Sequence, residues 1–130
     1  RNYGPTEYAE DCQVAKILLV EDDFVLANTL LDWLEYKGHE IEHIADGNKA
    51  AEKLNDSDFE IIVLDWNLPG INGIDLCKLY RDKGGVLPVL MLTGRHGSTE
   101  ASQCKEAGAN KYLPKPFQLE ELTRELEALL

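Results

Sequence analysis

Charged and hydroxyl groups stand where runs of apolar residues stop. Glu21 and Asp22 follow KILLV, Asp65 follows IIVL, Thr93 follows VLML, and Lys115 closes KYLPK. Gathered in one place, these residue types have a defined chemistry. Clustered carboxylates repel, and that cost is offset by a bound cation, a raised pKa, or both. A hard ion held by one or two carboxylates, a backbone carbonyl and waters is the magnesium pattern. An ammonium and a hydroxyl beside it suit the oxygens of a phosphoryl group. Singly, each residue has a plainer reading. Glu21, Asp22 and Asp23 precede a helix and suit its positive end, Thr93 suits a turn, and Lys115 a solvated loop. Their joint placement, one set per strand end, favours a site.

The elements that must position them can be read from the apolar pattern. KILLV (Lys16 to Val20), Glu40 to Ile44, residues 60 to 65, Leu87 to Leu92 and Lys111 to Leu113 read as strands. Residues 61 to 64 are continuously apolar, as in a strand buried on both faces of a parallel sheet. Asn67, Pro69 and Gly70 then signal a turn. Between the strands lie helical patterns. The first carries Leu26/Ala27, Leu30/Leu31 and Leu34 on one face and stops at Lys37-Gly38. The second starts at Asp46-Gly47, and the third runs from Asn72 to Lys83. Ser98 or Thr99 is expected to cap a fourth that ends at Ala107-Gly108, and Leu119 to Leu130 makes an amphipathic fifth. Strictly alternating strands and helices predict an α/β fold, a flavodoxin-like doubly wound parallel sheet of five strands in the order 2-1-3-4-5 with five helices. In that topology all five strand ends share one edge, and ligands sit there.

At 130 residues, 44% hydrophobic and 28% charged, the chain has the size and composition of a single soluble domain. A net charge of −11 argues against gripping nucleic acid or an anionic membrane. Cys12, Cys77 and Cys104 form no CxxC pair and no zinc pattern, and free thiols in a reducing cytoplasm are expected. No apolar run approaches the roughly 20 residues of a membrane span. Residues 1–15 read as an extension or linker, and 16–130 as the domain. A start at Arg1 and an end inside a helical pattern suggest a piece of something longer.

KILLVEDD, IIVLDWNLPGINGIDL, VLMLTG and KYLPKPF, in this order and spacing, resemble the receiver domain of two-component response regulators. The resemblance implies that Asp65 accepts a phosphoryl group from a sensor histidine kinase or phosphotransfer protein. It makes Asp22 a direct ligand of Mg2+ (or Mn2+), Glu21 a ligand mainly through water, and the Asn67 backbone carbonyl a further ligand. Lys115 would pair with the phosphoryl oxygens and Thr93 would hydrogen-bond one of them. Tyr112 matches an aromatic that changes rotamer, and the Lys115–Pro116 bond would be cis. The implied output is a changed surface on the fourth helix, fifth strand and fifth helix, controlling transcription or another partner, with a homodimer forming on phosphorylation. A hybrid-kinase receiver or stand-alone relay module is the alternative.

Several residues depart from the family pattern. Trp66 replaces the more usual methionine after the acceptor, where its ring would partly cover the pocket. Gly94 replaces alanine after Thr93, and Arg95 follows as a solvated residue or a phosphoryl screen. Asn110 and Lys111, with Glu121, Glu125 and Glu127, lack the charge polarity used by many winged-helix regulators to dimerise, unless Lys111 pairs with Glu125 across the interface. Trp33 and Tyr36 are expected as half-buried core or a kinase-docking face. A hydrolase using an aspartyl phosphate needs an acid two residues after its nucleophile; Asn67 stands there, so only self-phosphorylation and slow self-hydrolysis are expected. A flavodoxin-like nucleotide binder would carry Ser, Thr and Gly after the first strand, where this chain has Glu-Asp-Asp.

Overall fold

The computed structural model describes residues 14–55, 58–94 and 97–130. Most of the proposed lead-in, together with Cys12 and Arg95, lies outside them. Five strands, β1 (Lys16–Val20), β2 (Glu40–Ile44), β3 (Ile61–Asp65), β4 (Val89–Thr93) and β5 (Lys111–Pro114), alternate with five helices. These are α1 (Phe24–Tyr36), α2 (Gly47–Lys53), α3 (Gly73–Asp82), α4 (Ser98–Ala107) and α5 (Leu119–Ala128). The sheet is parallel throughout, in the order β2-β1-β3-β4-β5.

The two-residue period of a strand splits the core into two layers. Ile17, Leu19, Ile61, Val63, Leu90 and Leu92 face α1 and α5, meeting Leu30, Leu34, Leu122 and Leu126. Leu18, Val20, Ile62, Leu64, Val89 and Met91 face the other way, toward Ala50, Leu76, Cys77 and Cys104 of α2, α3 and α4. All residues of β3 and β4 are buried, which explains their lack of alternation. At edge strand β2, Ile41 serves the first layer and Ile44 the second. The Trp33 indole joins α1 to α5 by donating to Thr123 Oγ1 at 2.6 Å. Tyr36 is exposed instead of sharing that half-buried position.

Helix starts follow the short polar residues before them. Asp23 accepts from Val25 and Leu26 N–H, Asp46 from Asn48 and Lys49, and Asn72 from Asp75. Neither Ser98 nor Thr99 stands at the cap position expected of it. Both lie inside α4, and Gly97 takes the cap position without a side-chain bond. Strand β4 begins at Val89 instead of Leu87, because Pro88 has no N–H for the ladder.

Candidate functional site

At the carboxyl edge the three acids after β1 divide their labour. Asp23 caps α1. Glu21 is fully buried, and its Oε2 accepts from Asp23 N–H at 3.0 Å. Asp22 stays exposed. The capping alternative therefore holds for one acid of the three, and the other two turn toward β3.

There Asp65, only 3% exposed, ends the central strand. Its carboxylate, with those of Glu21 and Asp22, offers three oxygens lying within 4.8 Å of one another. Lys115 reaches into this nest, its ammonium 2.9 Å from Asp65 Oδ1 and 3.1 Å from Glu21 Oε1. Backbone geometry brings it there. Lys115 N–H donates to the Thr93 carbonyl at 2.7 Å, tying the β5 exit to the β4 end. The Lys115–Pro116 peptide is cis. Thr93, 1% exposed, lies one residue beyond Leu92, which is opposite Asp65 in the sheet register.

Burial pushes the Asp65 and Glu21 carboxyls above their ordinary values, and Lys115 only partly opposes that rise. For Lys115, burial favours the neutral amine, but Asp65 and Glu21 outweigh it and raise its pKa. The nest is thus over-supplied with negative charge. Three carboxylates face one ammonium, and all the donors are hard oxygens. Such a set fits a small divalent cation.

Asn67 is exposed in the turn leaving β3, and Trp66 packs half-buried on the second layer. Tyr112 also packs partly against that layer. A Cβ on Gly94 would meet nothing within 4 Å, so alanine would fit sterically there. An apolar cavity of about 430 Å³ lies between α2 and α3, lined by Leu54, Leu76, Tyr80 and Leu87, but carries none of these groups.

Other contributors gave no sequence signal. The backbone of Gly73 packs on that of Asp65; a Cβ there would lie 2.2 Å from the Asp65 carbonyl oxygen. Gly73 N–H also donates to the Trp66 carbonyl at 2.7 Å. Gly73→Ala is expected to cost about 1–3 kcal/mol in urea unfolding, because the backbone must shift to admit the methyl. His43, on the edge strand, places Nε2 2.6 Å from the Glu21 carbonyl oxygen. Nothing in the pattern of β2 points to a partner across the neighbouring strand end.

On the surface of β5 and α5, Lys111 and Glu125 pair within the chain at 2.7 Å, so the pairing expected across an interface is already closed internally. Asn110, though exposed, is likewise engaged within the chain, accepting from Val89 N–H and from Arg81.

Residues 17–127 match the family model described as response regulator receiver domain. Response regulator MprA of Mycolicibacterium vanbaalenii is 37% identical over 115 residues, covering 88% of this chain and 50% of that protein. Transcriptional regulatory protein TcrA of Mycobacterium tuberculosis is 37% identical over 126 residues, covering 97% of this chain and 50% of its own. The chain therefore spans about half the length of these relatives. Among solved structures, the receiver domain of the sensor histidine kinase PA1611 from Pseudomonas aeruginosa superposes with a TM-score of 0.82. It is 30% identical, the match covers 89% of this chain and 97% of that one, and it holds a magnesium ion in its active site cleft. No helix among the described residues is long and apolar enough to cross a membrane. With its sheet order, its acid nest and its matched span in agreement, the chain belongs to the response regulator receiver domains of two-component systems.

Proposed function

We propose that Asp65 accepts a phosphoryl group from a phosphohistidine on a sensor kinase or phosphotransfer protein. The observation that carries this reading is the Lys115 ammonium lying between buried Asp65 and buried Glu21, with Asp22 within reach of both. Asp22, Asp65 and the Asn67 carbonyl would hold Mg2+ directly, and Glu21 mainly through water. Bound there, the ion supplies positive charge against the charge developing on the phosphoryl oxygens.

The chain's own residues do the rest. An Asp65 oxygen attacks phosphorus, the P–N bond breaks, and the imidazole leaves with its electron pair and takes a proton. Lys115 stays with the anion and pairs with a phosphoryl oxygen. Thr93, buried at the neighbouring strand end, donates to another oxygen. Tyr112 turns into the space Thr93 leaves. That shift favours one of two arrangements of the α4–β5–α5 face, because the added charge interacts differently with each. Asn67 offers no acid at the position where phosphohydrolases keep one, so the domain acts as a switch with slow self-hydrolysis instead of a turnover enzyme.

The output proposed is transcription control by a segment beyond the receiver, as the name of the relative TcrA suggests. The alternative of a kinase-borne receiver draws on the PA1611 likeness. A homodimer formed on phosphorylation would have to rearrange the internal Lys111–Glu125 pair if it used that face. Acetyl phosphate with Mg2+ tests the acceptor chemistry. Wild-type protein is expected to gain one phosphoryl group by intact mass, and Asp65→Asn none. An equally labelled Asn variant would refute the reading.

A further inference from the structure

The peptide joining Glu21 to Asp22 leads directly into the exposed acid of the nest. Contacts to Glu21 and to its partner His43 hold the chain on its upstream side. Glu21 N–H donates to the Ile44 carbonyl at 3.0 Å, extending the β1–β2 ladder one residue past the strand. The Glu21 carboxylate is held by Asp23 N–H and Lys115. Its carbonyl oxygen takes the His43 ring nitrogen at 2.6 Å. The Phe24 ring stands edge-on to the imidazole, with centroids 5.8 Å apart at 84°. A carbonyl oxygen only accepts, so Nε2 must carry the proton, which fixes the ring's tautomer or requires the doubly protonated form. The contact restrains the peptide plane that leads into Asp22, and so limits where the Asp22 carboxylate can lie.

We infer that His43 is a positioning residue for the divalent-cation site: its Nε2–H holds the Glu21–Asp22 peptide so that the Asp22 carboxylate joins those of Glu21 and Asp65. It touches neither the ion nor the phosphoryl group. This inference rests on the nest being a cation site. Ligand-orienting hydrogen bonds of this kind typically change metal affinity by about 10–100-fold when removed.

Mg2+ titration at pH 8, followed by tryptophan fluorescence, gives the readout, since Trp66 is next to Asp65 in the chain. His43→Leu keeps the bulk and removes the donor; His43→Gln keeps an N–H donor. The Leu variant is expected to bind Mg2+ about 10-fold or more weakly, with the Gln variant within roughly 3-fold of wild type. Equal affinity in the Leu variant overturns the inference, as does a Gln variant as weak as Leu. A wild-type protein that binds no Mg2+ takes the reading of the nest down with it, whereas an unaffected Leu variant defeats His43 alone. Nitrogen NMR of the wild type is an independent check that needs no variant. Nε2 of His43 should carry a proton; an Nε2 without one overturns the inference.

Discussion

Asp65→Asn is expected to melt above the wild-type domain when divalent ions are removed with EDTA. Asp65 is nearly inaccessible to water, and burial raises its pKa despite the Lys115 ammonium beside it. Glu21 is in the same position. For both groups the folded form binds the proton more tightly than the unfolded chain, whose ordinary values are 3.8 and 4.5. Their contribution to stability therefore falls as pH rises from those ordinary values through the raised ones, and at neutral pH these two carboxylates, unlike Lys115, oppose folding when no ion is bound. An isosteric amide removes one anion and leaves Glu21 to pair with Lys115. Neutralising a buried charge in this way is worth about 1 kcal/mol or more, roughly 3–5 °C for a domain of this size. Saturating Mg2+ should reverse the order. A ligand at a hundredfold excess over its Kd stabilises the folded state by about 2.7 kcal/mol, and the variant with a ligand removed gains less. An Asn variant that melts lower in EDTA would mean that Asp65 is a net structural support and not a strained functional acid.

The second large effect concerns Asp22, exposed and with little structural duty. Asp22→Asn is expected to slow labelling by acetyl phosphate about 10²–10³-fold, the scale on which losing one element of transition-state charge stabilisation acts. Its unfolding midpoint in EDTA should be close to wild type, because Asp23 and not Asp22 makes the α1 cap. The contrast with Asp23→Ala is informative. Losing that cap should cost about 1 kcal/mol of stability. Normal labelling by the Asp22 variant would remove this carboxylate from the metal set.

Much of this architecture was legible because burial and chemistry leave different marks. Continuous apolar runs in β3 and β4 could only be central strands, and the polar residue after each run marked the functional edge. The helix starts at Asp46 and Asn72 were legible, and both residues prove to cap the helices that follow them. Ser98 and Thr99 show where such reasoning fails. Either hydroxyl is a good cap by type, but α4 starts at Ser98 with Gly97 in the cap position, and helix boundaries read from residue type are uncertain by a residue or two. By residue type alone any of the three acids at 21 to 23 could cap α1. The backbone turn after β1 makes Asp23 the cap, buries Glu21 and leaves Asp22 at the exposed rim of the nest. His43 and Gly73 were silent for a different reason: each acts on a residue in another element, through a carbonyl that no side-chain pattern reports. Lys111 and Glu125 also pair within the chain, a contact between β5 and α5 that the charge pattern alone did not announce.

One measurement bears most directly on the acid nest as a phosphoryl-accepting site. The protein is treated with acetyl phosphate and Mg2+, the acyl phosphate is trapped by borohydride reduction, and the modified residue is located by peptide mass spectrometry. The expected result is a single reduced residue at Asp65, absent when EDTA replaces Mg2+. Reduction at another carboxylate, or at Asp65 to the same extent without the ion, would contradict the account.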